Sequence, residues 1–284
     1  MRASTADDIE PCARILYDAF DGIGTQHGFP PDFPSLEEAQ LLAELLVHGP
    51  AFGVVAEKDG RIVGSNFLAA SDSICGVGPI SVDPSLQGSG IGRELMKAVM
   101  ERGKGAVGIR LVQDAFNCRS LSLYASLGFE VKEPLAMMQG RPRSAGVALS
   151  GRVVRPLRAA DLDGCGALCR RVHGFDRASE LGHTGPLSQP WVVERAGRIV
   201  AYATALHFWA LDHGVAETEE DMRALILGFA AARPEPVWFL LPTRQAGFFR
   251  WCLSEGLRVI KPMTLMAMGE YHEPAGCWFP SVMY

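Results

Sequence analysis

Apolar and polar residues follow one another in short runs that predict a mixed α/β protein. Residues 51–70, AFGVVAEKDGRIVGSNFLAA, hold two β-rich runs around a Lys-Asp-Gly turn, which is a hairpin pattern. VGPISV (77–82) and VGIRLVQ (107–113) are typical of strands. Between these two strands, apolar residues recur at helical spacing: Ile91, Leu95, Ala98 and Val99.

Capping residues mark where helices begin and end. Thr5 and Ser35 are each followed three residues later by an acid, which predicts a helix start at both places. SLSLYASL (120–127) predicts a helix that Gly128 ends, and FEVKEPLAMM (129–138) predicts a last pair of strands. We therefore expect a helix-flanked, mostly antiparallel sheet with one parallel crossover at the glycine-rich stretch.

The chain resembles itself in three segments that occur in the same order. STADDIEPCARIL (4–16) is similar to LRAADLDGCGALC (157–169), and VVAEKDGRIVGSNFLA (54–69) is similar to VVERAGRIVAYATAL (192–206). The third pair is LYASLGFEV (123–131) and WCLSEGLRV (251–259). The shared order predicts duplication of one unit, with domains at 1–145 and 152–284. The segment Gly140 to Arg152, rich in glycine, serine, arginine and proline, is the predicted boundary, and a hairpin loop within one domain is the alternative.

Composition narrows the classes of partner. The 284 residues carry a net charge of −5 and neither half has an excess of Lys and Arg, which argues against nucleic acid as a partner. No apolar run is long enough for a membrane span, and the N-terminal segment is acidic, so we expect a cytoplasmic protein. The seven cysteines form neither a CxxC pair nor a Cys/His array, so we expect small buried side chains and no metal site.

The stretch SVDPSLQGSGIGRELM, Ser81 to Met96, places three glycines just before a helix. Glycines there let main-chain N–H groups approach a phosphate at the positive end of the helix dipole. A Walker A loop would need Gly-Lys-Ser/Thr at its end, and this loop has Gly92-Arg93-Glu94. A Rossmann loop would need different glycine spacing after the first strand, although Asp114 stands at a tolerable distance for a ribose acid. The acyl-CoA pyrophosphate pattern Q/R-x-x-G-x-G/A fits Gln87 to Gly92 without a mismatch.

Ser81–Met96 resembles motif A of the GNAT superfamily, the GCN5-related N-acetyltransferases. The later family signature N-x-x-S/A-x-x-x-Y-x-x-x-G-F is matched by Asn117, Ser120, Tyr124, Gly128 and Phe129. This resemblance covers about Met1 to Gln139, and the second half joins it through the internal repeat. The paired arrangement resembles tandem-GNAT bacterial proteins, which implies two GNAT-like α/β domains with a mixed sheet, the second of them degenerate.

The resemblance implies an acetyl-CoA site in the first domain. The residues it assigns to binding are Ile80, Ser81, Val82, Gln87, Gly88, Ser89, Gly90, Ile91, Gly92, Arg93, Asn117, Ser120 and Tyr124. A backbone N–H near Val82 is expected to face the thioester oxygen, and Tyr124 occupies the family's general-acid position. From the residues alone, a tyrosine on the inner face of a helix is more often a core residue, and an asparagine at position 117 is a helix cap.

The general base cannot be identified from the sequence pattern. Asp72, just before the strand CGVGPISV, is our candidate acting through water, with an ordinary surface-loop acid as the alternative. Weaker candidates lie near the segment that shapes acceptor sites in GNATs: His27, Glu37 and Glu38.

The second half lacks a Q-x-x-G-x-G loop, and Cys252 stands at the position that corresponds to Tyr124. We therefore expect no acetyl-CoA there. Asp212, His213 and Glu217 are expected to be solvated or capping groups rather than a metal cluster.

These observations predict an acetyl-CoA-dependent N-acetyltransferase that acts by direct transfer on a primary amine. The acceptor is a small molecule or a peptide, no metal or membrane is involved, and a homodimer is compatible with the sequence. The alternative is a non-catalytic acyl-CoA-binding sensor or scaffold, and a third hypothesis is a dinucleotide-dependent enzyme.

Overall fold

A computed structural model of the protein describes residues 1–147, 149–177, 181–182 and 188–283. Its helices are α1 (Ile9–Gln26), α2 (Leu36–His48), α3 (Ile91–Arg102), α4 (Cys118–Ser126), α5 (Leu162–His173), α6 (Glu219–Ala232) and α7 (Ala246–Ser254). Its strands are β1 (Arg2–Ala3), β2 (Phe52–Lys58), β3 (Arg61–Ala69), β4 (Ile74–Val77), β5 (Ser81–Val82), β6 (Gly108–Asp114), β7 (Glu130–Gly140), β8 (Arg152–Pro156), β9 (Trp191–Arg195), β10 (Arg198–Ala203), β11 (Gly214–Ala216), β12 (Val237–Pro242), β13 (Arg258–Gly269) and β14 (Cys277–Phe279).

The chain divides into two compact units. The first contains Met1–Glu130 with Ala267–Gly269 and Met283, and the second contains Val131–Met266 with Glu270–Val282. The unit boundary thus precedes the segment 140–152 that the sequence suggested, of which Ala148 lies outside the described residues. The physical reason is β7, one continuous strand rather than the predicted pair, whose second half forms its ladder with β12 of the second unit.

The first unit has a sheet in the order β1-β2-β3-β4-β6. The strands from β1 to β4 are antiparallel to their neighbours, whereas β4 and β6 are parallel and are joined through α3, which confirms the predicted crossover. The hairpin between β2 and β3 is also confirmed, with Asp59 and Gly60 at φ values of 52° and 74°. Because the sheet is mostly antiparallel, the Rossmann arrangement that the glycine loop alone left open is excluded.

An equivalent ion pair lies ahead of α1 in the first unit and ahead of α5 in the second, at matching positions of the internal repeat. Arg2 donates two hydrogen bonds of 2.7 Å to the Asp8 carboxylate, ahead of α1. Arg155 donates hydrogen bonds of 2.6 and 2.8 Å to Asp161, ahead of α5. Asp8 and Asp161 also accept the main-chain N–H three residues earlier, so each carboxylate caps its helix entrance.

The second unit holds an antiparallel sheet in the order β14-β11-β10-β9-β8, and it also pairs β7 with β12 and with β13. Apolar side chains of α6 pack against these strands and form a core that includes Leu225, Phe229, Phe239, Phe248 and Phe279. All the cysteines except Cys118 are buried thiols, as expected from their scatter. Over the described residues, none of the helices combines the length and the apolar character needed to cross a membrane.

Candidate active site

The parallel strands of the first unit separate partway along their length. β4 pairs with β6 from Ile74 opposite Gly108 as far as Gly76 opposite Arg110. Beyond that point, within the described residues, β5 pairs only with β3, while β6 continues to Asp114. A gap therefore opens between β5 and the second half of β6, and one edge of β5 has no strand partner.

The main chain of Val82 points toward this gap. Asp83 donates its N–H to the carbonyl of Val63 at 3.0 Å, and Ser81 pairs with Ser65 of β3. In an antiparallel ladder the hydrogen-bonding groups of alternate residues face opposite sides, so the N–H and C=O of Val82 face away from β3. The Ser81 hydroxyl is buried against the Ser65 hydroxyl at 3.1 Å, so its side chain belongs to the core.

The glycine loop between β5 and α3 is open and its amides are largely unused. Gly88 and Gly90 have φ values of 87° and 92°, and a Cβ on either would meet nothing within 4 Å. Ser89 donates its N–H to the carbonyl of Leu86, but among described residues no backbone hydrogen bond is donated by Gly88, Gly90, Ile91 or Gly92. The loop fits a diphosphate, because free N–H groups and the helix dipole converge on one point.

Two arginines lie beside this loop. Arg93 of α3 donates to the Ser126 hydroxyl of α4 at 2.8 Å, and Arg119 donates to the side-chain oxygen of Gln87 at 3.2 Å. Gln87 in turn donates to the carbonyl of Val82 at 3.4 Å. Arg93 was expected here, whereas sequence reasoning missed Arg119, because an exposed arginine in the first turn of a helix carries no signal of its own.

Tyr124 lies on the inner face of α4 and is buried, with its ring edge-on to Phe129 at 6.3 Å between centroids. Burial raises the pKa of its hydroxyl well above the usual value, and the nearby charge of Asp114 raises it further. Among the described residues, none forms a hydrogen bond with this hydroxyl. The phenol is therefore protonated across the neutral range and has its proton available.

Asn117 is the cap of α4, where its side-chain oxygen accepts the N–H of Ser120 at 3.1 Å. The Ser120 hydroxyl donates to the side-chain oxygen of Gln113 at 2.7 Å. Gln113, on β6 beside the gap, is 5% exposed, and within the described part of the chain its amide nitrogen has no hydrogen-bond acceptor. Sequence reasoning missed Gln113, since a single glutamine in an apolar strand gives no pattern. Its buried N–H groups can serve a bound ligand.

Asp72 lies two residues before β4, half-buried, in the loop that follows β3. The adjacent Ser73 accepts the N–H of Val107 at 3.0 Å, so Asp72 is level with the start of β6. The gap begins beyond Gly76, which is four residues after Asp72, or roughly 13 Å along an extended chain. The structure therefore does not bring Asp72 next to Tyr124, and its predicted role requires a chain of water.

The weaker base candidates lie on the helices before β2. His27 follows α1, its ring Nδ1 donates to the Ile23 carbonyl at 3.0 Å, and its ring centroid lies 5.0 Å from that of Phe116. Glu37 and Glu38 lie in the first turn of α2, where the Ser35 hydroxyl lowers the pKa of Glu37. These contacts of His27, Glu37 and Glu38 are therefore contacts at helix ends. None of these contacts is with a residue that borders the gap between β5 and β6.

The second unit contains a strand that corresponds to β5. Glu217, just after β11, donates its N–H to the carbonyl of Val200 at 2.9 Å, as Asp83 does to Val63 in the first unit. Val63 and Val200 are equivalent in the internal repeat, so β11 corresponds to β5.

In the second unit the outer edge of β11 is covered. β14 pairs with it antiparallel, with Val215 opposite Trp278 and Gly214 opposite Phe279. Gly214 must be glycine here, because a Cβ would overlap the Phe279 ring. The chain's own strand thus covers the edge that stays unpaired in the first unit.

The turn after β11 also differs from the glycine loop. Thr218 caps α6 by accepting the N–H of Asp221 at 3.2 Å, and the first turn carries Glu219 and Glu220 as well. These carboxylates are stabilised by the positive end of the helix dipole and repel a second anion. The missing loop, noted from the sequence, is therefore replaced by an acidic helix start.

Asp212 and His213 are buried, which corrects the expectation that they would be solvated or capping groups. Asp212 accepts the N–H of Ala205 at 2.9 Å, and burial raises the pKa of its carboxyl well above the usual value. His213 lies 3.1 Å from the Tyr202 hydroxyl, and burial lowers the pKa of its ring. Both lie in the packed interior of the second unit, because β11 and its preceding turn are covered.

Among the described residues, no group of three or more His, Cys, Asp and Glu side chains is arranged to hold a metal ion.

Comparison with known proteins finds its sequence similarity in the first unit. Residues 16–129 match the model of the acetyltransferase (GNAT) family. A mycothiol acetyltransferase of Thermomonospora curvata is 38% identical over 96 residues, which are 33% of this chain and 32% of that protein. The chain thus matches about a third of the length of this curated relative.

Solved structures extend the similarity to the whole fold. A Pyrococcus horikoshii protein, provisionally described as an acetyltransferase, superposes with a TM-score of 0.73 at 15% identity, covering 100% of this chain and 95% of that chain. A tandem GNAT protein from the clavulanic acid biosynthesis pathway gives a TM-score of 0.59 at 13% identity, covering 98% of each chain. The protein therefore has the fold of two GNAT-like units in tandem.

Proposed function

We propose that the first unit binds acetyl-CoA and transfers its acetyl group directly to a primary amine. The observation that carries this proposal is the unpaired edge of β5, which faces a gap beside a glycine loop with free amides. A linear ligand with a diphosphate at one end and amide groups along its arm matches both features. The family match to residues 16–129 supports an acyl donor of this kind.

The residues around the gap have distinct binding tasks in this proposal. The loop amides at Gly88 to Gly92 and the start of α3 hold the diphosphate, and Arg93 and Arg119 add positive charge. The C=O of Val82 accepts a hydrogen bond from an amide of the pantetheine arm, as it would from a neighbouring strand. Asn117 and Gln113 each have an amide nitrogen available to donate to the same arm.

When bound, acetyl-CoA supplies a thioester carbonyl, which is the electrophile that the amine nitrogen attacks. In this proposal the N–H of Val82 donates to the thioester oxygen, on which negative charge develops. As the new C–N bond forms and the C–S bond breaks, the Tyr124 hydroxyl gives its proton to the leaving sulfur. Its raised pKa keeps the proton in place beforehand, and the same desolvation raises the basicity of a thiolate in that gap. Asp72, through water, takes the proton that the amine loses.

The second unit is proposed to bind no acetyl-CoA. Its equivalent of the β5 edge is paired with β14, and its α6 start carries acids where the first unit has glycines. We therefore expect one acetyl-CoA per chain.

Titration calorimetry with purified protein and acetyl-CoA tests the binding step. One site per chain supports the proposal, whereas no detectable binding to acetyl-CoA or free coenzyme A contradicts it. A screen of primary amines that follows release of free thiol then tests catalysis. Binding without thiol release across the screen would favour the non-catalytic sensor or scaffold, and thermal stabilisation by NAD alone would favour the dinucleotide enzyme.

A further inference from the structure

Asp114 is the last residue of β6 and lies at the same end of the gap as Val82. β4 and β6 form their last pair at Gly76 opposite Arg110. Four residues farther on, β6 reaches Asp114 and the neighbouring chain is two residues short of Val82. Burial and then the nearby charge of Asp114 raise the pKa of the Tyr124 hydroxyl. The Asp114 carboxylate is therefore near both groups that are proposed to act on the thioester.

The side chain of Asp114 belongs to the face of β6 that is turned away from α3 and α4. Ile109 lies against the C-terminal end of α3, and Gln113 accepts a hydrogen bond from the Ser120 hydroxyl of α4. Side chains alternate between the two faces along a strand, so Val112 and Asp114 face the opposite side.

This opposite face is accessible from solvent at β6. α1 packs against β3 and β5 from this side, where its Cys12 contacts Ser65, whereas the adjacent Gly64 faces α3. On β6, however, Val112 is partly exposed although the residues on either side of it are buried. An acceptor can therefore approach the gap along β6, past Val112 and toward the Asp114 carboxylate.

Aromatic side chains lie next to Asp114, beyond the end of the strand. The Asp114 carbonyl accepts the N–H of Asn117 at 2.9 Å, and the turn that this bond closes contains Phe116. The Phe116 ring stacks on Phe29, with 4.4 Å between their centroids, so the segment that follows α1 holds this turn. A carboxylate and aromatic rings thus occur together at the end of β6.

This combination is suited to an ammonium ion. Primary alkyl amines resemble the lysine side chain, whose pKa is about 10.4, and are therefore positively charged at neutral pH. A carboxylate attracts that charge, and the faces of aromatic rings attract cations as well. The Asp114 side chain is only 7% exposed, so solvent does little to screen its repulsion of a carboxylate on the same acceptor.

We propose that Asp114 binds the ammonium group of the acceptor and so selects amines that carry no carboxylate next to the nitrogen. This inference rests on the proposed acetyl transfer in the first unit, and it defines the acceptor class as cationic amines rather than amino acids. Asp114 binds the protonated amine. One proton then leaves through water toward Asp72, as in the proposed function, and the neutral nitrogen attacks the thioester. Asp114 is thus a specificity-determining residue.

The first test uses the unaltered full chain and two matched probes, L-phenylalaninol and L-phenylalanine. The two probes share the phenyl group and the primary amine, and a neutral hydroxymethyl group in the first replaces the carboxylate of the second. Thiol release from acetyl-CoA should give a kcat/KM at least about tenfold higher for L-phenylalaninol, because like charges repel in a desolvated site.

Equal values for the two probes, a preference for L-phenylalanine, or no thiol release with L-phenylalaninol would overturn this inference. Each of these results leaves the proposed function in place if acetyl-CoA binds and another primary amine is acetylated. Failure of the chain to bind acetyl-CoA would overturn the proposed function and this inference with it.

The second test changes the charge of Asp114. In Asp114→Asn, the KM for L-phenylalaninol should rise at least about tenfold and the preference over L-phenylalanine should largely disappear, because the shape is kept and the charge is lost. Acetyl-CoA affinity should stay within about twofold. Asp114→Glu keeps the charge and should retain the preference. Asp18→Asn, at an exposed position of α1, loses the same charge and should behave as the parent chain.

A purely structural role for Asp114 would give a different result. Asp114→Asn would then lower Tm and raise KM equally for both probes, with the preference between them unchanged. That outcome, or a parent-like KM and preference in Asp114→Asn, would overturn the inference. If Asp114→Asn fails to fold, the comparison of the two probes on the unaltered chain still decides it.

Discussion

The side chain of Gln245 holds both main-chain groups of Trp278. Its Nε2 donates to the Trp278 carbonyl at 2.6 Å, and its Oε1 accepts the Trp278 N–H at 3.2 Å. Gln245 is the residue before α7, as Asn117 is the residue before α4, and the two helices are equivalent in the internal repeat. In the second unit, an amide side chain at this position therefore holds the main chain of β14, the strand that pairs with β11. We call this pair of hydrogen bonds between Gln245 and Trp278 the clamp.

We predict from this clamp that Asn117→Asp weakens acetyl-CoA binding about tenfold, because a carboxylate keeps the cap to Ser120 but cannot donate to an amide carbonyl. Asn117→Ala loses both functions and is also expected to lower stability by about 1 kcal/mol. Calorimetry and thermal unfolding separate the two effects. Unchanged affinity in Asn117→Asp would leave the residue with its capping role only.

Gly90→Ala is predicted to weaken acetyl-CoA binding at least tenfold. Alanine at a φ of 92° is strained by about 1–2 kcal/mol, and the added methyl group blocks approach to the loop amides. Gly105→Ala is the matched control, because Gly105 has a φ of 100° and open space but lies beyond α3. Both variants should lose similar stability, and only Gly90→Ala should lose affinity. An equal affinity in the two variants would count against the loop as the diphosphate site.

Tyr124→Phe is predicted to lower kcat about 100- to 1,000-fold while acetyl-CoA affinity stays within about twofold. The ring that packs on Phe129 is retained, and only the hydroxyl that supplies the proton is removed. Tyr202→Phe in the second unit is the control, since it removes an equally buried hydroxyl near His213 and should affect stability but not kcat. Parallel losses of affinity and rate in Tyr124→Phe would assign the residue to binding.

Asp72→Asn tests the predicted general base. A base must be deprotonated to accept the amine proton, so the variant should lose the rise of kcat/KM with pH on the acid side of the profile. Asp59→Asn, at the exposed turn between β2 and β3, should leave the profile unchanged. If Asp72→Asn also leaves the pH profile of kcat/KM unchanged, a group other than Asp72 accepts the proton of the amine.

The Arg155–Asp161 pair predicts a pH dependence of stability. Hydrogen bonds from Arg155 lower the pKa of Asp161 below its ordinary value of 3.8. The stabilisation is therefore present above the unfolded-state pKa and is lost as pH falls through the lower folded-state pKa. Urea unfolding between pH 3 and 7 measures the free energy of unfolding. As pH falls, that free energy should decrease less for Asp161→Asn than for the parent chain. Asp163→Asn, which changes an exposed residue of α5, is the control and should show the same pH dependence of stability as the parent chain. The same pH dependence in Asp161→Asn would contradict the prediction that this carboxylate contributes to it.

Local sequence determined the parts of this protein that depend on short-range chemistry. Asp59-Gly60 specified the hairpin because that turn requires positive φ, and Ser35 specified the start of α2 because its side chain accepts the N–H of Glu38. Thr5 marks the other helix start through the Asp8 carboxylate, which accepts hydrogen bonds from the Thr5 N–H and hydroxyl. The glycine loop and the Asn117–Phe129 motif predicted the GNAT domain, and the ordered repeats predicted two units. These features can be recognised from the sequence because each turn, cap, motif and repeated segment is only about fifteen residues long or shorter.

Tertiary structure decided everything that depends on a partner strand. β7 is one strand rather than two because β12, about a hundred residues later, supplies its ladder. Gln113 becomes a candidate ligand only because β5 and β6 separate beside it, and Asp212 is buried only because β11 and its turn are covered. No pattern around Met283 indicates that its main chain lies on Gly76, since that contact depends on a missing side chain some two hundred residues earlier. A contact between residues that are far apart in sequence does not require a particular pattern of residues around either of them. Such contacts therefore cannot be predicted from a short stretch of sequence.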